Sequence, residues 1–305
     1  MSLDCLACGG RLHETAALVG RDRVSGVPGC WSIHAGTSCG SGTTLPLVDE
    51  AQLDAFYPAD YAPYELPSGA LGQLMTLLQR GRNRSFPLNR LAGGDGGPRT
   101  LLDVGCGRGD LAASWVEAGW RVLGIEPSPE AAEVARARGV ETQVGTLATA
   151  KLPLAALDGV VFRHSLEHVV RPRVDLRTVR EALRPGGHLI VIVPNWGSWQ
   201  RRAFGEYWFP LELPRHRTHF TAAGLHAALE SAGFEQIDVR TATPFITTTW
   251  SLQLRIFDRI LSRSGVPLLA GYASSAPVAV VSNLLDRLLG GGDFLHAHAV
   301  AGPMD

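Results

Sequence analysis

The sequence predicts an α/β fold with a doubly wound, mostly parallel sheet, and three observations carry that prediction. Apolar runs and helix-spaced segments alternate from Arg99 onward; one run breaks on Gly105-Cys106-Gly107-Arg108-Gly109; the next run ends on Glu126. Alternation of this kind describes parallel strands covered by helices on both faces. A glycine turn between strand and helix brings the backbone close to a ligand with no Cβ in the way, and it ends on a helix N-terminus. An acidic side chain at the tip of the following strand accepts hydrogen bonds from ribose hydroxyls. Together they form the nucleoside-binding half of an α/β sheet.

Composition bounds the rest. The 305 residues are 45% hydrophobic and 19% charged, as expected of a chain that buries a core. A net charge of −1 gives no electrostatic footprint for nucleic acid. Met1 to Gly9 has no basic segment followed by an apolar run, so no secretory signal is expected. Four of the five cysteines precede residue 40, which reads as a local site in a reducing cytoplasm and not as a disulfide framework.

The elements follow in order. Cys5-Leu-Ala-Cys8 is a C-x-x-C knuckle with Cys30 and Cys39 downstream, a spacing that suits one tetrahedral zinc once a second pair closes the site. That second pair is irregular: Cys5, Cys8 and Cys39 need either Cys30 or His34 as a fourth ligand, or the knuckle folds without metal. Residues 1–50 form this Cys-rich module, and 51–97 a connector with a Tyr/Pro-rich stretch at Asp54–Tyr64, a helix at Leu71–Arg84 and a Gly-rich break. Residues 98–305 form the main domain. Strands are expected at 100–104, 121–126, 141–144, 159–163, 188–193 and 235–241, with helices between. Residues 195–220 read as an aromatic lid and 245–289 as an apolar helical insertion. The uncharged stretch from Ser264 to Leu285 holds Pro267, Pro277 and several serines, so a transmembrane span is not expected, while peripheral membrane contact and a homodimer stay open.

The ligand is narrowed by charge. A dinucleotide fingerprint wants G-x-G-x-x-G, and here the third glycine comes one place early. Asp103, just before the turn, would meet a pyrophosphate with a second negative charge, whereas a cationic sulfonium ligand tolerates it. Asp103-Val104-Gly105-Cys106-Gly107 with Glu126 downstream resembles the first two motifs of class I S-adenosylmethionine-dependent methyltransferases. That resemblance implies a Rossmann-like sheet of seven strands, the last, near Phe294–Val300, antiparallel. It implies that Asp103, Gly105, Cys106 and Gly107 hold the methionine end of S-adenosyl-L-methionine. Glu126, with Pro127 beside it, would hold the ribose, Thr146 and Leu147 the adenine, and His164 would face the methyl donor. S-adenosyl-L-homocysteine would be the product. Relatives of this type carry an N-terminal zinc-ribbon-like module whose second knuckle is also C-x-x-C; here Gly36 stands where its first cysteine would be. The metal set expected is Cys5, Cys8, Cys30 and Cys39.

Two segments bear on the acceptor. His164-Ser-Leu-Glu167-His168 matches the H-x-x-E-H of inverted zinc peptidases, but it caps a strand beside a nucleoside loop and not a helix facing a third ligand, so the match is accidental. Glu167 and His168 read as a packing pair at a helix start, and the resemblance also implies a second reading, since some quinone-ring O-methyltransferases hold a divalent metal with a similar acidic/His cluster. The 195–220 segment carries Trp196, Trp199, Tyr207, Trp208 and Phe209, a set suited to a platform for a sugar ring or planar acceptor. Its ending, Pro214-Arg-His216-Arg-Thr-His219-Phe220, resembles a methyltransferase subfamily found beside polysaccharide, glycolipid and natural-product genes. His216 is favoured as the acceptor's base, with His219 and His164 as further candidates. The function expected is O-methylation of a sugar hydroxyl in a glycan, glycolipid or glycosylated natural product. C-methylation of a nucleotide-linked ketosugar and a non-catalytic partner protein of the same fold are the alternatives.

Overall fold

A computed structural model describes residues 4–49, 56, 99–243, 245–257, 281–282, 284–286 and 291–303. The expected connector helix, the Tyr/Pro stretch apart from Phe56, and most of the apolar tail lie outside the described residues. Three short strands open the chain, β1 (Leu18–Gly20), β2 (Trp31–Ala35) and β3 (Gly42–Leu45). Then come β4 (Thr100–Val104), β5 (Arg121–Glu126), β6 (Glu141–Val144), β7 (Leu157–Arg163), β8 (Leu183–Pro194), β9 (Thr218–His219), β10 (Phe234–Ala242) and β11 (Phe294–Ala301). Helices α1 (Ala112–Glu117), α2 (Pro129–Ala137), α3 (Pro172–Ala182), α4 (Trp199–Phe204), α5 (Ala222–Ser231) and α6 (Phe245–Phe257) connect them.

The main sheet has seven strands in the order β10-β11-β8-β7-β4-β5-β6. β4 pairs in parallel with β5 on one side and with β7 on the other, so the chain reverses its direction of travel at β4, and the cleft beyond its carboxyl end is where such sheets bind ligands. β11 is antiparallel to both β8 and β10, as the resemblance implies. The strand period puts neighbouring residues on opposite faces. Leu102 packs with Phe162, Leu176 and Leu225, while Leu101 packs with Trp115, Val122 and Ile190. Two separate cores under one sheet are what double winding requires. Ser128 caps α2 by accepting from Ala131 N–H, with Pro129 at its first position, and Thr221 caps α5 by accepting from Gly224 N–H.

The N-terminal module is bound into the rest of the chain. Its sheet has four strands, β1-β2-β3-β9, and the fourth comes from the segment that carries His216 and His219. Gly42 pairs with His219 and Thr43 with Thr218. Trp31 and Ile33 on the inner face of this sheet pack against Trp196, Trp208, Leu211 and Leu213. The expected aromatic platform is therefore corrected: Trp196 and Trp208 are buried as the core under the small sheet, because that face needs an apolar cover. Phe209 packs edge-on against Trp250 of α6 at 4.6 Å. Among the described residues no helix is long and apolar enough to cross a membrane.

Candidate functional site

The glycine turn is hooked onto β5. Gly105 N–H and Cys106 N–H both donate to Ile125 O, at 2.8 and 3.2 Å. Gly105 has φ +74° and Gly107 φ +55°, conformations that disfavour a side chain. A Cβ on Gly105 would stand 2.7 Å from Ser165 Cβ, whereas one on Gly107 would project into open space. Beside that space is the Glu126 carboxylate, with Oε2 accepting from Gly107 N–H at 2.8 Å and Oε1 from Ser128 N–H at 3.0 Å. Burial raises its pKa against the pull of those two donors. Asp103 is buried one residue before the turn's entry; desolvation lifts it to about 7, with Arg163 opposing and Glu126 adding to the rise.

Not every residue of the expected donor site faces it. Cys106 turns its thiol into the core against Gly124, whose missing Cβ would lie 2.7 Å from the sulfur, and burial pushes the thiol up to about 12. Only its backbone borders the turn. Pro127 is exposed next to Glu126. Gly145 N–H donates to Glu126 O at 3.0 Å, which brings the end of β6 to the tip of β5. Thr146 follows there with a buried hydroxyl that lacks a hydrogen-bond partner, and Leu147 is packed into the core.

The other half of the site is a histidine cluster around one carboxyl. His164 directly follows β7 in the left-handed region, at φ +56°, and its ring stands edge-on to Phe294 at 4.9 Å. Its Nδ1 is 3.8 Å from Glu167 Oε1, and His216 Nε2 is 3.9 Å from the same oxygen. The Glu167 carboxyl and the ring nitrogens of His168 and His216 all lie within 4.8 Å of one another. His216 Nδ1 is 2.9 Å from Pro210 O; a carbonyl only accepts, so the proton is on Nδ1. Thr44 Oγ1 donates to His216 O at 2.6 Å and therefore accepts from His219 Nε2 at 2.9 Å. Burial keeps these imidazoles neutral: His168 is lowered to about 4, His219 to about 3, and His216 well below its usual value.

Exposure separates the candidates for a base. The His164 side chain is 26% exposed and that of His216 is 4% exposed. The role expected of His216 thus falls on an imidazole enclosed behind Glu167, and His164 is the one that reaches solvent. His219 is enclosed too, its ring 5.1 Å from Trp196. Glu167, read from sequence as a packing residue, is the group on which the cluster converges. The signal that pointed to it was its place at the tip of the fourth parallel strand between two histidines.

The thiols of Cys5, Cys8 and Cys39 gather within 4.8 Å of one another, and Cys30 is exposed and outside that group. His34 is engaged elsewhere, with Nδ1 on His13 O at 2.9 Å and Nε2 on Ser32 Oγ at 3.0 Å. A Cβ at Gly36 would stand 2.9 Å from Cys5 Sγ and 3.3 Å from Cys39 Sγ, so the missing cysteine leaves its gap against the sulfurs. The hydrogen bond with Cys5 lowers Cys39 to about 5 and, with burial, raises Cys5. Three clustered cysteine sulfurs are a donor set that suits a soft divalent metal.

The sequence profile of a family described as a methyltransferase domain matches residues 76–239, more than half of the chain. A ubiquinone biosynthesis O-methyltransferase of Xanthomonas oryzae pv. oryzae is 33% identical over 152 residues, 46% of this chain and 64% of that protein. A ubiquinone/menaquinone biosynthesis C-methyltransferase of Rubrivivax gelatinosus is 27% identical over 160 residues, 45% of this chain and 63% of that protein. The chain thus spans less than two thirds of the length of these curated relatives. Among solved structures, Haemonchus contortus phosphoethanolamine N-methyltransferase 2 in complex with S-adenosyl-L-methionine has the same fold, with a TM-score of 0.53 at 20% identity over 73% of this chain and 53% of that one.

Proposed function

The chain belongs to the methyltransferase-domain family, and from that membership we propose that it methylates a hydroxyl oxygen with S-adenosyl-L-methionine as donor. The observation that carries this reading is the Glu126 carboxylate, pinned by Gly107 and Ser128 N–H groups beside the open space at Gly107. Glu126 would accept from the ribose hydroxyls, Thr146 would border the adenine, and the buried Asp103 would face the positive end of the donor. The donor supplies an electrophilic methyl group on a good leaving group. The protein's own contribution is then to hold the acceptor oxygen at ~3–3.5 Å from that carbon, with deprotonation adding ~10²–10⁴-fold. His164 is the residue placed for the deprotonation.

For the acceptor, the Pro214–Phe220 segment supports a sugar hydroxyl in a glycan, glycolipid or glycosylated natural product. The likeness to a Xanthomonas ubiquinone biosynthesis O-methyltransferase supports a second class, a hydroxyl on a ubiquinone precursor. Incubation with methyl-labelled donor and acceptors from both classes tests the reading. Label in a base-stable ether on one class is the expected result. Failure of the protein to bind either adenosyl ligand, or equal binding of NAD, would sink it.

We also assign a structural zinc to Cys5, Cys8 and Cys39, in a protein working in the cytoplasm where thiols stay reduced. Cys39→Ser is expected to lose the metal and to lower Tm by at least ~5 °C, because each kcal/mol is worth ~2–4 °C in a chain of this size. Cys30→Ser should change neither. Metal content and thermal melts of both variants decide it, and equal effects would refute the assignment.

A further inference from the structure

Nothing in donor binding accounts for Glu167. The residue is 1% exposed, and neither carboxyl oxygen accepts a hydrogen bond from another residue, although buried carboxyls are normally paired. Two imidazole nitrogens face the same oxygen, at 3.8 and 3.9 Å. One of them, His216 Nε2, is a lone pair, because Pro210 O fixes the proton on Nδ1. A lone pair facing a buried carboxylate repels it unless a proton lies between them.

We propose that Glu167 is a proton relay, taking through His164 the proton released by the acceptor hydroxyl and holding it against His216 Nε2. The proposal rests on the methyl-transfer reading above. The acceptor's O–H bond breaks and an N–H bond forms at His164 Nε2. The Nδ1–H bond of His164 then breaks and an O–H bond forms at Glu167 Oε1. The neutral carboxyl then closes the 3.9 Å gap to His216 Nε2 to donate to it, and the buried negative charge is discharged. Glu167 thus acts through His164 and is a positioning residue in this scheme.

The surroundings suit the role. Desolvation lifts Glu167 to about 7, with His168 and the residue's own backbone N–H opposing and Glu212 adding to the rise, so the carboxyl can take and return a proton near neutrality. His219 stands behind His216, with ring centroids 6.3 Å apart, and Arg215 is neutralised by Asp22 and Glu212. Ser165 packs on Gly105, which holds His164 next to the donor turn. His164 takes a left-handed backbone conformation, at φ +56°, that non-glycine residues uncommonly adopt.

Infrared difference spectroscopy tests the relay without an acceptor. The carbonyl stretch of a buried carboxylic acid should be present at pH 5.5, titrate away with a midpoint near 7, disappear in Glu167→Gln and persist in Glu167→Asp. Asp103→Asn identifies the separate band of Asp103. S-adenosylmethionine binding to Glu167→Gln should stay within ~2-fold of wild type, and once an acceptor is found kcat should fall ~10²-fold with the lower limb of its pH profile lost. If Glu167→Gln does not fold, ¹⁵N shifts of wild-type His216 still decide: protonated Nδ1 with bare Nε2 is expected, and the reverse tautomer overturns the relay. An unchanged carboxylic-acid spectrum in Glu167→Gln, or a stoichiometric divalent metal that this variant alone loses, also overturns it. Wild-type protein that binds no adenosyl ligand overturns the methyl-transfer reading instead.

Discussion

Arg215→Ala is expected to lower the unfolding free energy by ~3–5 kcal/mol, the cost of stripping one partner from a buried ion pair. The Arg215 and Asp22 side chains are fully buried and their nitrogen and oxygen approach to 2.9 Å, with a second contact at 3.2 Å. Arg215 also donates to Phe56 O at 3.1 Å and pairs with Glu212 at 3.5 Å. Asp22 holds its own loop by accepting from Val24 and Ser25 N–H groups at 2.9 and 3.0 Å. Alanine at 215 leaves the Asp22 carboxylate without its cation inside the protein. Urea unfolding at neutral pH measures the loss, and a change below ~1 kcal/mol would mean that the pair is open to water. The double variant Asp22→Ala, Arg215→Ala should lose less than the sum of the two singles, because the orphaned charge is gone. The effect reaches the site as well, since Arg215 precedes His216 in the segment that Thr44 clamps.

The sequence makes the donor half of the site legible for a physical reason. Asp103, the glycines and Glu126 lie within 24 consecutive residues, and their roles follow from local backbone demands and from the ends of two adjacent strands. The central strands β4, β7 and β8 show because each is a largely apolar run buried on both faces. β8 extends further than expected, from Leu183, because Arg184-Pro-Gly-Gly187 continues the strand where Leu157 pairs with Leu183. The rest depends on contacts far apart in the chain. β9 is two residues long and has no period to read, yet it joins the Cys module to the histidine segment. Cys30 and His34 look equal as a fourth ligand in sequence, and neither joins the group that the turn at Gly36–Gly40 closes around Cys5, Cys8 and Cys39. His216 looks like a base because a histidine titrates near neutrality, but its ring is enclosed behind Glu167, away from solvent. Trp196 and Trp208 look like a ligand platform until the small sheet that they cover is known.

Glu126→Ala should weaken S-adenosylmethionine and S-adenosylhomocysteine by ~10–100-fold, because hydrogen bonds to a charged group contribute ~1.5–3 kcal/mol and each 1.4 kcal/mol is a factor of ten. Two losses combine in that number. The ribose hydroxyls would lose their acceptor, and the N–H groups of Gly107 and Ser128 would lose the carboxylate that fixes the turn. Glu126→Gln separates them. Its amide oxygen can still accept one backbone N–H, so the turn is kept in part while the charge is removed, and binding should fall by about half as much in free energy. Calorimetric titration of the three proteins with both adenosyl ligands and with NAD gives the comparison. Wild-type binding of the adenosyl ligands alone, graded down from glutamate to glutamine to alanine, would establish the carboxylate as a ribose contact. Equal losses in the two variants would assign it to holding the turn. No loss in either would move the nucleoside away from the tip of β5, and with it the reading of Asp103 and Thr146 as its neighbours.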